Sequence, residues 1–145
     1  MNNNTILFHL AFPVNDIAKT KEFYSYGLGC EIGRESPTSV IMNLYGHQIV
    51  AHITKEPLKP QASVYPRHFG LIFLSEIDWE NLLTRAQQHH LSFYQEPKRR
   101  FAGEITEHRT FFLIDPFYNL LEFKYYCHYQ AIFGSQEFNQ VGDKV

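Results

Sequence analysis

The sequence predicts an α+β fold: two βαβββ modules whose strands form an open, curled mixed sheet around a cleft, with the helices outside. Three observations carry this. The chain is 145 residues long, the size of one domain. One order of elements occurs twice along it. Each copy opens with a histidine at the head of an apolar run, "FHLAFPV" at 8–14 and "RHFGLIF" at 67–73, so that His9 and His68 stand 68 − 9 = 59 residues apart.

The elements follow in order. Residues 6–12 read as a strand that Pro13 ends or places at a sheet margin. Asp16 is suited to cap a helix reaching about Tyr26, with Ile17, Thr20, Tyr24 and Leu28 at helical spacing and Gly27 and Gly29 closing it. Strands are expected at about 30–35, 39–45 and 48–54, with Gly46-His47 as the turn between the last two. The stretch "KEPLKPQASVYP" at 55–66 carries three prolines and reads as a linker. The order then restarts. A strand covers 68–74, and Ser75 or Asp78 caps a helix with Trp79, Leu82, Leu83 and Ala86 at i, i+3, i+4 and i+7. Residues 89–97 contain a strand, and "KRRFAGEITEH" at 98–108 reads as a polar loop. "TFFLID" at 110–115 and "NLLEFKYY" at 119–126 form the closing hairpin about Asp115-Pro116. One domain, 1–145, therefore divides into module 1 (about 6–54), a linker (55–66), module 2 (about 67–126) and a tail (127–145) of loose helix, then disorder. Neither module buries its sheet alone; two together can.

Composition narrows the function classes. The net charge is −2 and no basic stripe is present; "KRR" at 98–100 is isolated, which argues against nucleic-acid binding. Aromatic residues make up 16% of the chain, which suits a β-rich fold or an apolar ligand cavity. Cys30 and Cys127 have no metal or redox spacing and read as free thiols. "MNNNT" lacks an apolar targeting region and no run is long enough to span a bilayer, so a cytoplasmic protein without membrane contact is expected.

Strand alternation then selects side chains. Phe8, Leu10 and Phe12 pack under the helix, leaving Leu7, His9 and Ala11 on the concave side. The same rule turns His68, Gly70 and Ile72 inward on the fifth strand, Leu120, Glu122 and Lys124 on the last, and Gln48, Val50 and His52 on the fourth. Two imidazoles and a carboxylate match the 2-His-1-carboxylate set that holds Fe(II) with open positions; a further Gln, Glu or His donor would fit a closed Zn or Ni site better. Against this, a histidine at a strand start is most often a hydrogen-bonded structural residue, and Glu122 can pair with Lys124 or Arg109 on a surface. Spacing alone leaves both readings standing. His47 reads as a turn residue, and His89 and His90 as helix-end residues.

"FHLAFPVNDIAKTKEFY" at 8–24 followed by "LGC" at 28–30 resembles the first module of the vicinal oxygen chelate superfamily, the group of glyoxalase I, extradiol dioxygenases, and the fosfomycin and bleomycin resistance proteins. "RHFGLIF" is similar to the start of its second module. "FFLIDPFYNLLEF" at 111–123 is similar to its closing hairpin, with the glutamate 122 − 115 = 7 residues after the aspartate. "GHQIVAH" at 46–52 with "HFG" and "NLLEF" is closer to a branch of extradiol-type dioxygenases. The likeness covers about 6–126. It implies His9, His68 and Glu122 as metal ligands, with Gln48 or His52 as a fourth ligand or neighbouring group. Tyr118 departs from the glycine usual in the "DPxGN" turn.

The resemblance implies a metal-dependent enzyme. Its first form is a dioxygenase using Fe(II), or Mn(II), on a small catechol-like substrate with two vicinal oxygens, together with O2. His52 is the expected general base, with Tyr45 and His108 as further candidates. Gln48, Tyr45 and His108 are the expected substrate contacts. A lyase or isomerase with Zn(II) or Ni(II), and an aromatic-ligand or drug sequestering protein of the bleomycin resistance type, are the alternatives. A homodimer with modules packed across the interface is also implied.

Overall fold

A computed structural model describes residues 5–139 and 141–142. The elements run β1 (His9–Val14), α1 (Ile17–Lys21) continuing into a π-helical turn (Glu22–Gly27), β2 (Glu31–Ser36), β3 (Ser39–Leu44), β4 (His47–Ile53), β5 (Phe69–Phe73), α2 (Glu76–Gln88), β6 (Phe93–Arg100), β7 (His108–Ile114) and β8 (Leu120–Tyr126). The expected βαβββ order thus occurs twice. Each module has its own four-stranded mixed sheet, ordered β1-β4-β3-β2 and β5-β8-β7-β6. In both, the first strand is parallel to the fourth and the rest are antiparallel.

Local chemistry explains most boundaries. Asp16 caps α1, its carboxylate accepting the Lys19 amide at 2.8 Å. Tyr45 and Gly46 both have positive φ, 50° and 93°, which makes the tight turn between β3 and β4. Of the two readings of Pro13 the sheet margin holds: β1 runs through it to Val14 and is an edge strand, where proline is tolerated. One expectation needs correction. "KRR" at 98–100 is not loop. Lys98, Arg99 and Arg100 extend β6 and pair with Thr110, Arg109 and His108, while Pro97 sits at a register irregularity of this edge strand.

The core side of both sheets is one continuous cluster, including Phe12, Val14, Ile49 and Ala51 from module 1 and Phe111, Leu121 and Phe123 from module 2. Trp79 on α2 is fully buried, and its indole donates to the Phe123 carbonyl at 2.8 Å. Alternation places Leu10 and Phe12 on the core side as expected, but Phe8, expected to pack under the helix with them, is 61% exposed and precedes β1, which starts at His9 and not at residue 6.

The modules are tied directly. The Phe12 and Phe69 rings lie 5.4 Å apart. Tyr24 donates to Asp115 at 2.7 Å, Arg85 to the Gly27 carbonyl at 2.9 Å, and Asn119 to the Pro13 carbonyl at 2.9 Å. Tyr45, beside the start of β1, packs on Phe73 at the end of β5, whereas the end of β1 lies near the start of β5. The two leading strands therefore run antiparallel across the junction. The heads of β1 and β5, with His9 and His68, lie at opposite ends of it.

The tail was expected as loose helix. It is one 3-10 turn, Tyr129–Ala131, followed by irregular chain folded back on module 2, where Arg100 donates to the Gly142 carbonyl at 3.3 Å. The disorder expected beyond it falls largely on residues 140 and 143–145, and the N-terminal reading on 1–4; both lie outside the described residues. No helix among the described residues is long and apolar enough to cross a membrane.

Candidate metal centre

Module 2 builds its site where β5 and β8 pair. Gly70 faces Glu122 in the register, and any side chain at Gly70 would strike the Glu122 backbone. Glycine there lets the strands close and brings His68, just before β5, against the carboxylate. His68 Nε2 lies 3.2 Å from Glu122 Oε1. His68 Nδ1 lies 2.7 Å from the Val64 carbonyl oxygen. A carbonyl only accepts, so Nδ1 carries a proton, and in the neutral ring Nε2 presents a lone pair to the carboxylate. Two acceptors at that distance need a cation between them, a proton or a metal ion. Thr110 donates to the other carboxylate oxygen, Oε2, at 2.6 Å.

Electrostatics follow this geometry. The hydrogen bond to Glu122 holds His68 above the ordinary imidazole range, against the opposing effect of burial. Glu122 is only 9% exposed, and burial pushes its carboxyl upward; the bonds from His68 and Thr110 outweigh that and hold it below the usual range. Burial lowers His108, whose Nδ1 is held by the Thr106 carbonyl at 3.0 Å, leaving Nε2 as the acceptor of a neutral imidazole. A cavity of about 440 Å³ opens beside the pair, lined by His68, His108, Glu122, Lys124 and Tyr126 on the sheet side and by part of the tail.

Module 1 presents the other half. His9 is exposed at the head of β1, directly opposite Gln48 on β4. Its Nδ1 lies 2.7 Å from Gln48 Oε1, so the same argument leaves its Nε2 with a free lone pair. Within one chain this half does not meet the other: among the described residues no three His, Cys, Asp or Glu side chains converge as a metal-ion site. His52 is exposed four residues farther along β4, roughly 13 Å from Gln48 at strand rise. Tyr45 packs edge-on against Phe73, at the end of β5 away from His68. The structure thus groups His68, Glu122 and His108 in one place and His9 with Gln48 in another, with His52 and Tyr45 apart from both. Thr110, absent from the expected site, was findable: alternation along β7 puts it on the face of His108 and Phe112.

The sequence model of the glyoxalase/bleomycin resistance protein/dioxygenase superfamily matches residues 6–123. The chain belongs to that superfamily. A glyoxalase/bleomycin resistance protein/dioxygenase structure from Alicyclobacillus acidocaldarius is 41% identical, covering 92% of this chain and all of that one, with a TM-score of 0.85. Two more distant structures share the fold. One is a mutant of the fosfomycin resistance protein FosX from Listeria monocytogenes, complexed with Mn(II) and 1S,2S-dihydroxypropylphosphonic acid (17% identity; 88% of this chain and 94% of that one; TM-score 0.62). The other is a virulence protein from Salmonella typhimurium (24% identity; 87% and 99%; TM-score 0.58). No curated protein is a significant sequence match. His9, His68 and Glu122 all lie within the matched span.

Proposed function

We propose that this protein is a metal-dependent enzyme acting on a small substrate with two vicinal oxygens, of the dioxygenase type, with His9, His68 and Glu122 holding a divalent metal. The observation that carries the reading is the facing lone pairs of His68 and Glu122. Val64 fixes the tautomer, Thr110 fixes the carboxylate, and both remaining acceptors point at one spot, the arrangement of outer partners typical of a metal site. Because one chain keeps His9 away from that pair, the reading requires a homodimer in which His9 of a second copy completes the set.

The donor set fits Fe(II) or Mn(II): two neutral nitrogens and one carboxylate, with the remaining positions open. When bound, such a metal supplies a template for two vicinal oxygens and, as Fe(II), a partner for O2. The chain's own residues do the rest. The aromatic lining shields the reacting groups from water. His108, kept neutral by burial and sharing the cavity with His68 and Glu122, is the base this reading favours for a substrate hydroxyl. His52 and Tyr45 reach that role only if a second copy brings them there.

A lyase or isomerase using Zn(II) or Ni(II) is the second reading, and Gln48 beside His9 is the feature that favours it as a fourth donor. Strand register weighs the other way. Two residues after His68, Gly70 pairs with Glu122; two residues after His9, Ala11 pairs with Val50, which cannot ligate.

The test is elemental analysis of anaerobically purified protein beside His9→Ala and His68→Ala. About one Fe or Mn per chain, lost in both variants, supports the reading and directs an oxygen-electrode screen of catechols. Zn or Ni turns the screen to thiol adducts of aldehydes. No metal after reconstitution overturns the enzyme reading in favour of an aromatic-ligand binding protein.

A further inference from the structure

The cavity beside His68 and Glu122 is lined by an ammonium, that of Lys124, which the metal reading does not use. Its charged lining residues are Arg100, Lys124 and Glu122. Glu122 is already committed, to His68 on one oxygen and to Thr110 on the other. Arg100 donates to the Gly142 carbonyl and stacks on Phe101, which fixes its cation at the cavity wall. Lys124 is different. Its side chain is 26% exposed and its ammonium lies 3.1 Å from the Tyr126 hydroxyl, a neutral partner, and 5.2 Å from the Tyr126 ring centroid. Among the described residues the one carboxylate within reach is Glu122, at the 4.0 Å limit of an ion pair. An ammonium has three donors, and Lys124 spends one on the Tyr126 hydroxyl while Glu122 is held by His68 and Thr110, so Lys124 keeps donors for an incoming anion. The rest of the lining is mixed and includes the aromatic side chains of Phe101, Phe112, Tyr126, Phe133 and Phe138.

We propose that this cavity is an aromatic carboxylate pocket, in which Lys124 binds the anionic group of the substrate. The substrate class becomes a planar aromatic acid, the carboxylate at Lys124 and the ring against the aromatic walls. The inference rests on the proposed function only in calling the occupant a substrate; the anion preference belongs to the cavity itself.

The experiment therefore leaves the metal out. Full-length protein stripped with EDTA is titrated with benzoate and with benzamide, its neutral isostere, by ligand-observed NMR, for wild type, Lys124→Met and Lys124→Arg. Wild type should favour benzoate by about tenfold, the worth of one charge-assisted hydrogen bond. Lys124→Met should bring the ratio near one, and Lys124→Arg should restore most of it. If Lys124→Met does not fold, as judged by far-UV circular dichroism, Lys124→Gln takes its place. Equal binding of both probes, no benzoate binding up to its solubility, or an unchanged ratio without Lys124 would each overturn the proposal. Mn(II) binding by wild type and His68→Ala, measured separately, reports on the metal reading, so either idea can fail alone.

Discussion

Replacing Thr110 by Val tests whether Glu122 is held ready for a metal. Valine keeps the shape of threonine and removes the hydroxyl. Thr110 is 1% exposed and its bond to Glu122 Oε2 is 2.6 Å long, so no water takes the place of the lost donor without rearrangement. A hydrogen bond to a charged group contributes about 1.5–3 kcal/mol, and the carboxylate oxygen left behind is buried. Two effects are expected. The metal-free variant loses about 1.5–3 kcal/mol of stability, seen as a lower urea midpoint with an unchanged slope. The carboxylate also loses the bond that orients it, so Mn(II) should bind about 10–100-fold more weakly, the usual cost of losing an outer partner of a ligand. Competition against a chromophoric chelator measures that affinity, and Thr110→Ser should recover most of it. A stability loss with an Mn(II) dissociation constant within about twofold of wild type would refute the reasoning: Thr110 would then be filling a polar core position and not positioning a ligand.

Other consequences can be checked alongside. His68 is raised by Glu122, so its charge-pair contribution to metal-free stability is full below the ordinary imidazole value of 6.5 and is lost as pH rises through the folded value. The difference in urea midpoint between wild type and His68→Gln should shrink across that window; a difference that is flat with pH counts against the pair. Glu122 has the opposite sign: its contribution is present above the ordinary value of 4.5 and is lost as pH falls through the lower folded value. Mn(II) displaces the proton shared by the pair, so its affinity should rise with pH until His68 is neutral, and isothermal titrations in buffers of different ionisation heat should show the proton release. Tyr24→Phe deletes the buried bond to Asp115 across the module junction and should cost about 1–3 kcal/mol by urea denaturation, leaving metal affinity unchanged. Gly70→Ala drives a methyl group into the Glu122 backbone and should lower both the melting temperature and metal content; a soluble variant with normal metal content would show that β5 can move away from β8 at no cost to the site.

Much of the fold was legible because its signals are local. Period-2 alternation, the Asp16 cap and a turn at Gly46 each act within a few residues, and each is seen, the turn falling at Tyr45-Gly46 instead of Gly46-His47 because His47 already opens β4. What could not be decided locally depends on the sheet as a whole. Pro13 could be read as a strand end or a sheet margin, and the assembled sheet decides for the margin: Pro13 and Pro97 lie within β1 and β6, both sheet edges where an amide donor is not needed. The basic run at 98–100 looks solvated, yet it pairs along β7. The site shows the same division. Facing could be read for His68 and Glu122 from their own strands, and these two meet. The inward facing of His9 could be read too, but facing says nothing of distance between sheets, so three residues on similar faces looked like one cluster. Alternation along β7 could have put Thr110 on that face, but the Val64 carbonyl acts through a tertiary contact that no spacing rule reports.

The two modules repeat a scaffold without repeating a site, and the register shows why. Both leading strands begin with histidine beside a parallel fourth strand. In module 2 the residue two steps along meets Glu122, and in module 1 it meets Val50. In module 1 the polar partner of His9 is Gln48, in direct register with it, where it holds Nδ1 in the way Val64 holds Nδ1 of His68. Each module therefore orients one imidazole through Nδ1, and only one module sets a carboxylate against Nε2. A symmetric pair of such chains, first module against second, would produce two equivalent centres, each with two nitrogens and one carboxylate. Neither half could hold a divalent ion tightly by itself: His9 is a single donor, and His68 with Glu122 is a pair that a proton satisfies. Metal affinity and association are then linked by mass action, each strengthening the other, and dilution should release metal from a protein whose chains remain folded.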